Sequence, residues 1–128
     1  MSIAALNIIS NAMDSLGINY EFGEWNSKVV YPYFVGEYQE VPALNEDGMQ
    51  ESQFILNGFS RGSWLELEEA KEKIENHFNK VSGKIVTADD KSTVAIFYEN
   101  SLIVPTGDEQ LKRIQINLKI KEWKVAKT

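Results

Sequence analysis

Between Ile114 and Lys121 apolar and polar residues alternate without a break, Ile114, Ile116, Leu118 and Ile120 against Gln115, Asn117, Lys119 and Lys121. Successive strand side chains point to opposite faces, so this period of two specifies a strand with one buried and one wet face. Such a strand belongs to a sheet covered on one side only. The cover must come from elsewhere in the chain.

Two segments have the helical pattern that can supply it. In Ser2–Leu16, Leu6, Ile9, Met13 and Leu16 recur at spacings of three and four, and Ile3 and Ile8 widen the apolar face. Ser2 is placed to cap this helix, and Gly17 to end it through a left-handed residue. Asn7, Asn11 and Asp14 fall on the water side. The second helix opens at Ser63, where Ser63-Trp64-Leu65-Glu66 matches the S-x-x-E capping box, and it runs to Gly83. Trp64, Leu67, Ile74 and Phe78 share its apolar face, so Trp64 is expected in the core. Glu68, Glu69, Glu72 and Glu75 populate the polar side, with Glu69 and Lys73 spaced for an i,i+4 ion pair.

The remaining segments read as strands. Tyr20 and Phe22 mark a short one, followed by a loop, Glu24 to Lys28, that carries Trp25. Val29–Val41 is rich in Val, Tyr and Phe, and Pro32 signals an edge position or an irregular start. It forms a hairpin with Glu51–Phe59, whose projecting tip, Pro42 to Gln50, holds Glu46, Asp47 and Met49. Lys84–Thr87 faces Thr93–Tyr98 across a turn containing Asp89 and Asp90. Leu102–Val104 continues to a turn at Thr106, Gly107 and Asp108. The order helix, strands, helix, strands gives an α+β fold, a mostly antiparallel sheet with two main helices packed on one face. With 128 residues and no linker or repeat, a single domain spanning 1–128 is expected.

Composition narrows the chemistry. There is no cysteine and only one histidine, which removes thiolate metal sites, cysteine nucleophiles and most zinc and triad chemistry. No apolar run approaches the roughly 18 residues of a membrane span, and Asn7, Ser10, Asn11 and Asp14 interrupt any signal-peptide pattern. His77, late in the second helix, has no second histidine to form a cluster and is expected to be structural. The Gly58–Ser63 run joins a strand to a helix but lacks the spacing of a phosphate loop, leaving Arg61 as a candidate anion contact. Glu46 with Asp47, and Asp89 with Asp90, lack the spacing of a calcium loop and read as solvated turns. No catalytic residue, metal or cofactor is expected. Trp25 is open to two readings, a partner contact or a side chain folded back onto the sheet.

Charge is the most informative property. The formal net charge is -6, but residues 111–128 carry six basic residues against Glu122 alone, a net +5. The first 110 residues carry seven basic and eighteen acidic residues, a net −11. Arg113, Lys119 and Lys121 project from the wet face of the last strand. An acidic body with a basic strip can join copies of itself head to tail. The same lysines would also protect the last strand if it were a sheet edge. Nucleic-acid binding is disfavoured by net acidity and by the lack of aromatics alternating with the basic residues along this strip.

The element order, with the aromatic stretch Pro32-Tyr33-Phe34-Val35 and the Phe54–Phe59 strand running through Ser60 and Arg61 into the Ser63 helix, resembles the small tail-terminator or head–tail joining proteins of long-tailed bacteriophages and prophages. The resemblance covers about residues 2–125. It implies a non-enzymatic structural protein that assembles as a ring, commonly hexameric, capping the tail tube and meeting the head connector. It also implies a place at the head–tail junction of the virion, reached by assembly in the host cytoplasm. The candidate interface residues are Trp25, Glu46, Asp47, Met49, Arg61, Arg113, Lys119 and Lys121. Two other classes fit the sequence, an acidic inhibitor or immunity-type protein that masks a basic partner, and a small enzyme or ligand-binding module built around Arg61. Tight 1:1 binding to a basic neighbour would mark the first, and a bound anion at Arg61 the second.

Overall fold

The computed structural model describes residues 1–41, 48–87 and 92–124. Among these residues two helices and six strands follow in the order α1 (Ile3–Ser15), β1 (Asn19–Phe22), β2 (Tyr33–Val41), β3 (Met49–Arg61), α2 (Trp64–His77), β4 (Lys84–Thr87), β5 (Thr93–Val104) and β6 (Leu111–Trp123). The strands form one sheet in the order β1-β2-β3-β6-β5-β4, antiparallel except for the β1–β2 pair. Both helices lie on one face. The expected α+β class is therefore the observed one.

α1 forms where its spacing places it. The Ser2 hydroxyl accepts from the Ala5 amide at 3.1 Å, and Gly17 takes φ +70° just past the C-cap. Ile9 and Met13 are fully buried. Ile8 packs at the edge of the core, but Ile3, expected on the same face, is 77% exposed. It stands about 120° around the helix from Ile9, beyond the stripe that meets the sheet.

α2 departs from its sequence pattern in four ways. It ends at His77 rather than near Gly83. Asn79 Oδ1 accepts from the amides of Val81 and Ser82 at 2.8 and 3.1 Å, a local turn that replaces the next helical bonds. The capping box does not close, because Glu66 accepts from the Ser60 hydroxyl at 2.8 Å and Ser63 makes no side-chain cap bond. Trp64 is more than a third exposed: it sits in the first turn, with the Lys112 ammonium 5.7 Å from its ring. The helix ion pair is Glu68–Lys71 at 3.7 Å, not Glu69–Lys73. Leu67, Ile74 and Phe78 are fully buried as expected.

In the sheet, β2 starts at Tyr33, four residues later than the aliphatic pattern suggests. Pro32, preceded by a cis peptide bond, has no amide hydrogen to give a ladder, so the irregular start is the correct reading. β2 is not an edge, because β1 pairs with it in parallel. Nor is β6 an edge: it lies between β3 and β5 and pairs with both along most of its length. Edge protection is therefore not the role of its lysines. The core lies between the helices and the buried parity of these strands, with Phe34, Phe54, Leu56, Ile96, Ile116 and Leu118 at its centre.

Tyr20 on β1 buries a polar group of its own. Its hydroxyl has no hydrogen-bond partner among the described residues, and burial pushes its pKa up to about 12. The folded state thus favours the neutral phenol. Stability that is complete below pH 10 falls as the unfolded chain ionises, and continues falling until the folded pKa is passed. Tyr20→Phe removes an unpaired buried oxygen, so it should raise stability by about 1 kcal/mol at neutral pH. Its advantage should widen above pH 10, which urea unfolding at pH 7 and 10.5 would measure. A loss of stability on this substitution would show that the hydroxyl has a partner in solution.

Candidate functional site

The sheet face away from the helices is assembled by register into cross-strand rows. Tyr33 on β2 lies opposite Phe59 on β3, which lies opposite Arg113 on β6. Trp25 folds back onto this row, its ring 4.8 Å from Tyr33, and its indole N–H donates to the Lys28 carbonyl at 3.4 Å. Of the two readings of Trp25, the folded-back one holds. Tyr33 and Phe59 stack at 5.1 Å, and the Arg113 guanidinium sits 5.7 Å from the Phe59 centroid. The result is a ladder of three rings ending in a cation. Binding of single strands needs open ring faces for bases. Here the rings turn their faces to one another.

A polar belt crosses the middle of the face. Arg113 Nη2 donates to Asn57 Oδ1 at 2.8 Å, and Asn57 Nδ2 donates to Glu37 Oε1 at 3.2 Å. Gln115 donates to Asn117 at 3.0 Å, and Asn117 to Asn100 at 2.7 Å. Asn57 and Asn117 are almost fully buried, although strict alternation puts Asn117 on the wet face. Neighbouring amides replace the water they lose. Arg113, expected to project from this face, is committed there to Asn57 and Phe59.

Beyond the belt the face turns basic. Lys119 lies opposite Gln53 and Phe97 and reaches Glu51 at 3.8 Å, while Lys121 lies opposite Glu51 and Ala95. Lys80, Lys119 and Lys121 converge with Glu99 around Phe97 on a depression of about 290 Å³. Lys80 arrives through the turn at Asn79, and nothing in its sequence position announces it.

The other candidates are dispersed. Arg61, at the end of β3, pairs with Asp108 at 3.6 Å and lies 5.9 Å from the Tyr31 centroid. Arg61 is thereby already engaged. Met49 begins β3 opposite Trp123 and is half-buried. Glu46 and Asp47 lie outside the described residues, as do Asp89 and Asp90. His77 packs edge-on against Phe78 at 4.7 Å, and burial, then the nearby Lys84, lowers its pKa below 6.5. Among the described residues no group of three or more His, Cys, Asp or Glu is arranged to hold a metal ion, and no helix is long and apolar enough to cross a membrane.

The alternation of β6 puts Lys119, Lys121 and Arg113 on one parity but carries no sign of the ring ladder. Tyr33, Phe59 and Arg113 belong to three strands, and only their register makes them neighbours. Compared with known proteins, the chain matches no protein-family model, and no curated protein is significantly similar to it in sequence.

Proposed function

We propose that this chain is a structural subunit of a long-tailed phage or prophage, of the tail-terminator or head–tail joining kind, that assembles head to tail into a ring capping the tail tube. The observation that carries the reading is the two-sided layout. α2 turns Glu68, Glu69 and Glu72 outward on one side of the sheet, and Lys80, Lys119 and Lys121 line a depression on the other. Opposite charges on opposite sides cannot satisfy each other within one chain. Between copies they give a heterologous contact that propagates and closes as a ring. The order of elements and the Pro32–Val35 and Phe54–Ser63 segments, which resemble that family, support the phage setting. In this reading Met49 at the start of β3, with Glu46 and Asp47, is a candidate contact for tail-tube and connector proteins.

Light scattering and native mass spectrometry across protein concentration should show a closed oligomer that weakens as salt rises. Electron microscopy of purified phage tube with added protein should show it at one tube end. A monomer at high concentration and low salt that also ignores tube ends would overturn the proposal.

A further inference from the structure

We infer that the three-lysine depression on the open face is the seat for the outer face of α2 of a second copy. This rests on the ring reading and names the contact that would build it. The exposed centreline of α2 runs Leu65, Glu69, Glu72, with Glu68 beside it. Leu65 is 67% exposed, an unusual place for a leucine at the start of an acidic helix face. Glu69 and Glu72 make no ion pair among the described residues, and Glu68 meets only the adjacent Lys71.

The depression mirrors that face. It is lined by Phe97 with Lys80, Lys119 and Lys121, and Glu99 is the single acid among them. The Phe97 ring is set in advance, because a Cβ on Gly83 would stand 2.5 Å from Phe97 Cε1 and only glycine leaves the ring there. Lys119 and Lys121, two residues apart on one strand, are separated by about 6.6 Å along it. Residues three and four apart on a helix have Cβ atoms about 5–6 Å from each other, so their carboxylates can reach a similar spacing. Two lysines can therefore take two glutamates while Leu65 covers Phe97. The Lys119–Glu51 pair competes weakly, since both side chains remain partly in water.

Charge exchange tests the contact. Lys119→Glu with Lys121→Glu, and separately Glu69→Lys with Glu72→Lys, should each stay folded by circular dichroism. Each should raise the concentration needed for assembly by roughly a hundredfold or more, because like charges then face each other. Mixed in equal amounts, the two variants should assemble again, since each offers the other's missing surface. Lys80→Glu, on an exposed turn, provides a third variant that should weaken assembly without touching the sheet. Variants that assemble like the parent would overturn this contact and leave the ring reading standing. The same holds if folded variants fail to assemble both alone and when mixed. A parent chain that never assembles would remove both.

Discussion

Phe34→Ala should cost about 3–5 kcal/mol, the usual loss for a fully buried phenylalanine. Phe34 has no exposed surface, and it lies directly across the β2–β3 ladder from Gly58. The two residues share one volume: a Cβ on Gly58 would fall 2.3 Å from Phe34 Cε1. Gly58→Ala should therefore cost about 1–3 kcal/mol by overpacking, because a buried ring has nowhere to move. In the Phe34→Ala background the same added methyl enters the vacated space and should be neutral or stabilising. The double-mutant cycle should show coupling of about 1–3 kcal/mol. Urea unfolding of the four proteins, with unchanged m values, would measure it. Simple additivity would show that the ring relaxes away from Gly58 in solution.

The consequence reaches the open face. A second, diagonal pair uses the same device: Phe54 lies across from Tyr38 and reaches over Gly36, where a Cβ would be placed 2.6 Å from Phe54 Cζ. Ring-over-glycine pairs pin the register of the hairpin from the buried side. A one-residue slip would turn every side chain of β3 to the wrong face. The packing of Phe34 and Phe54 thus holds Tyr33 beside Phe59.

What the sequence made legible follows from the range of each signal. The Ser2 cap, the Gly17 stop and the β6 alternation act within one element, and all three appear in the structure. The neighbours of β6 do not follow from its alternation, which assigns faces and says nothing of pairing order. An interior β6 is consistent with its lysines only once its open face is known. Trp64 and the capping box failed for a related reason: a helix start is decided by what packs over it, here Lys112 and the Ser60–Glu66 bond. Among the candidate site residues, Lys119 and Lys121 were visible as a parity and Lys80 was not, since the Asn79 turn carries it there. Trp25 had two readings until Tyr33 stood beside it. Glu122 continues the buried parity of Ile114, Ile116, Leu118 and Ile120, an acid where an aliphatic residue belongs.

Glu122→Ala should cost about 2–3 kcal/mol, and the loss should appear first in α1. The Glu122 side chain is 4% exposed, and its carboxylate accepts from the Ser2 amide at 3.1 Å and from the Ser2 hydroxyl at 3.1 Å. That hydroxyl in turn accepts from the Ala5 amide, so β6 reaches the first turn of α1 through one relay. A negative charge there also meets the positive end of the helix dipole. Alanine leaves the Ser2 amide and hydroxyl without this acceptor. Glutamine keeps one acceptor oxygen and the shape but not the charge, so its cost should be about half as large. Amide exchange should accelerate in α1 before it does in β3 and β6, because the lost bonds hold the helix end to the sheet. Equal effects of alanine and glutamine would show that the carboxylate charge adds nothing. Glu122 lies on the helix face, so its variants should lower the melting temperature and leave assembly below it unchanged. The Lys119 and Lys121 exchange predicts the reverse, assembly lost with the fold retained. The two faces of β6 are thus separable by experiment, one holding the chain together and the other joining it to its neighbour.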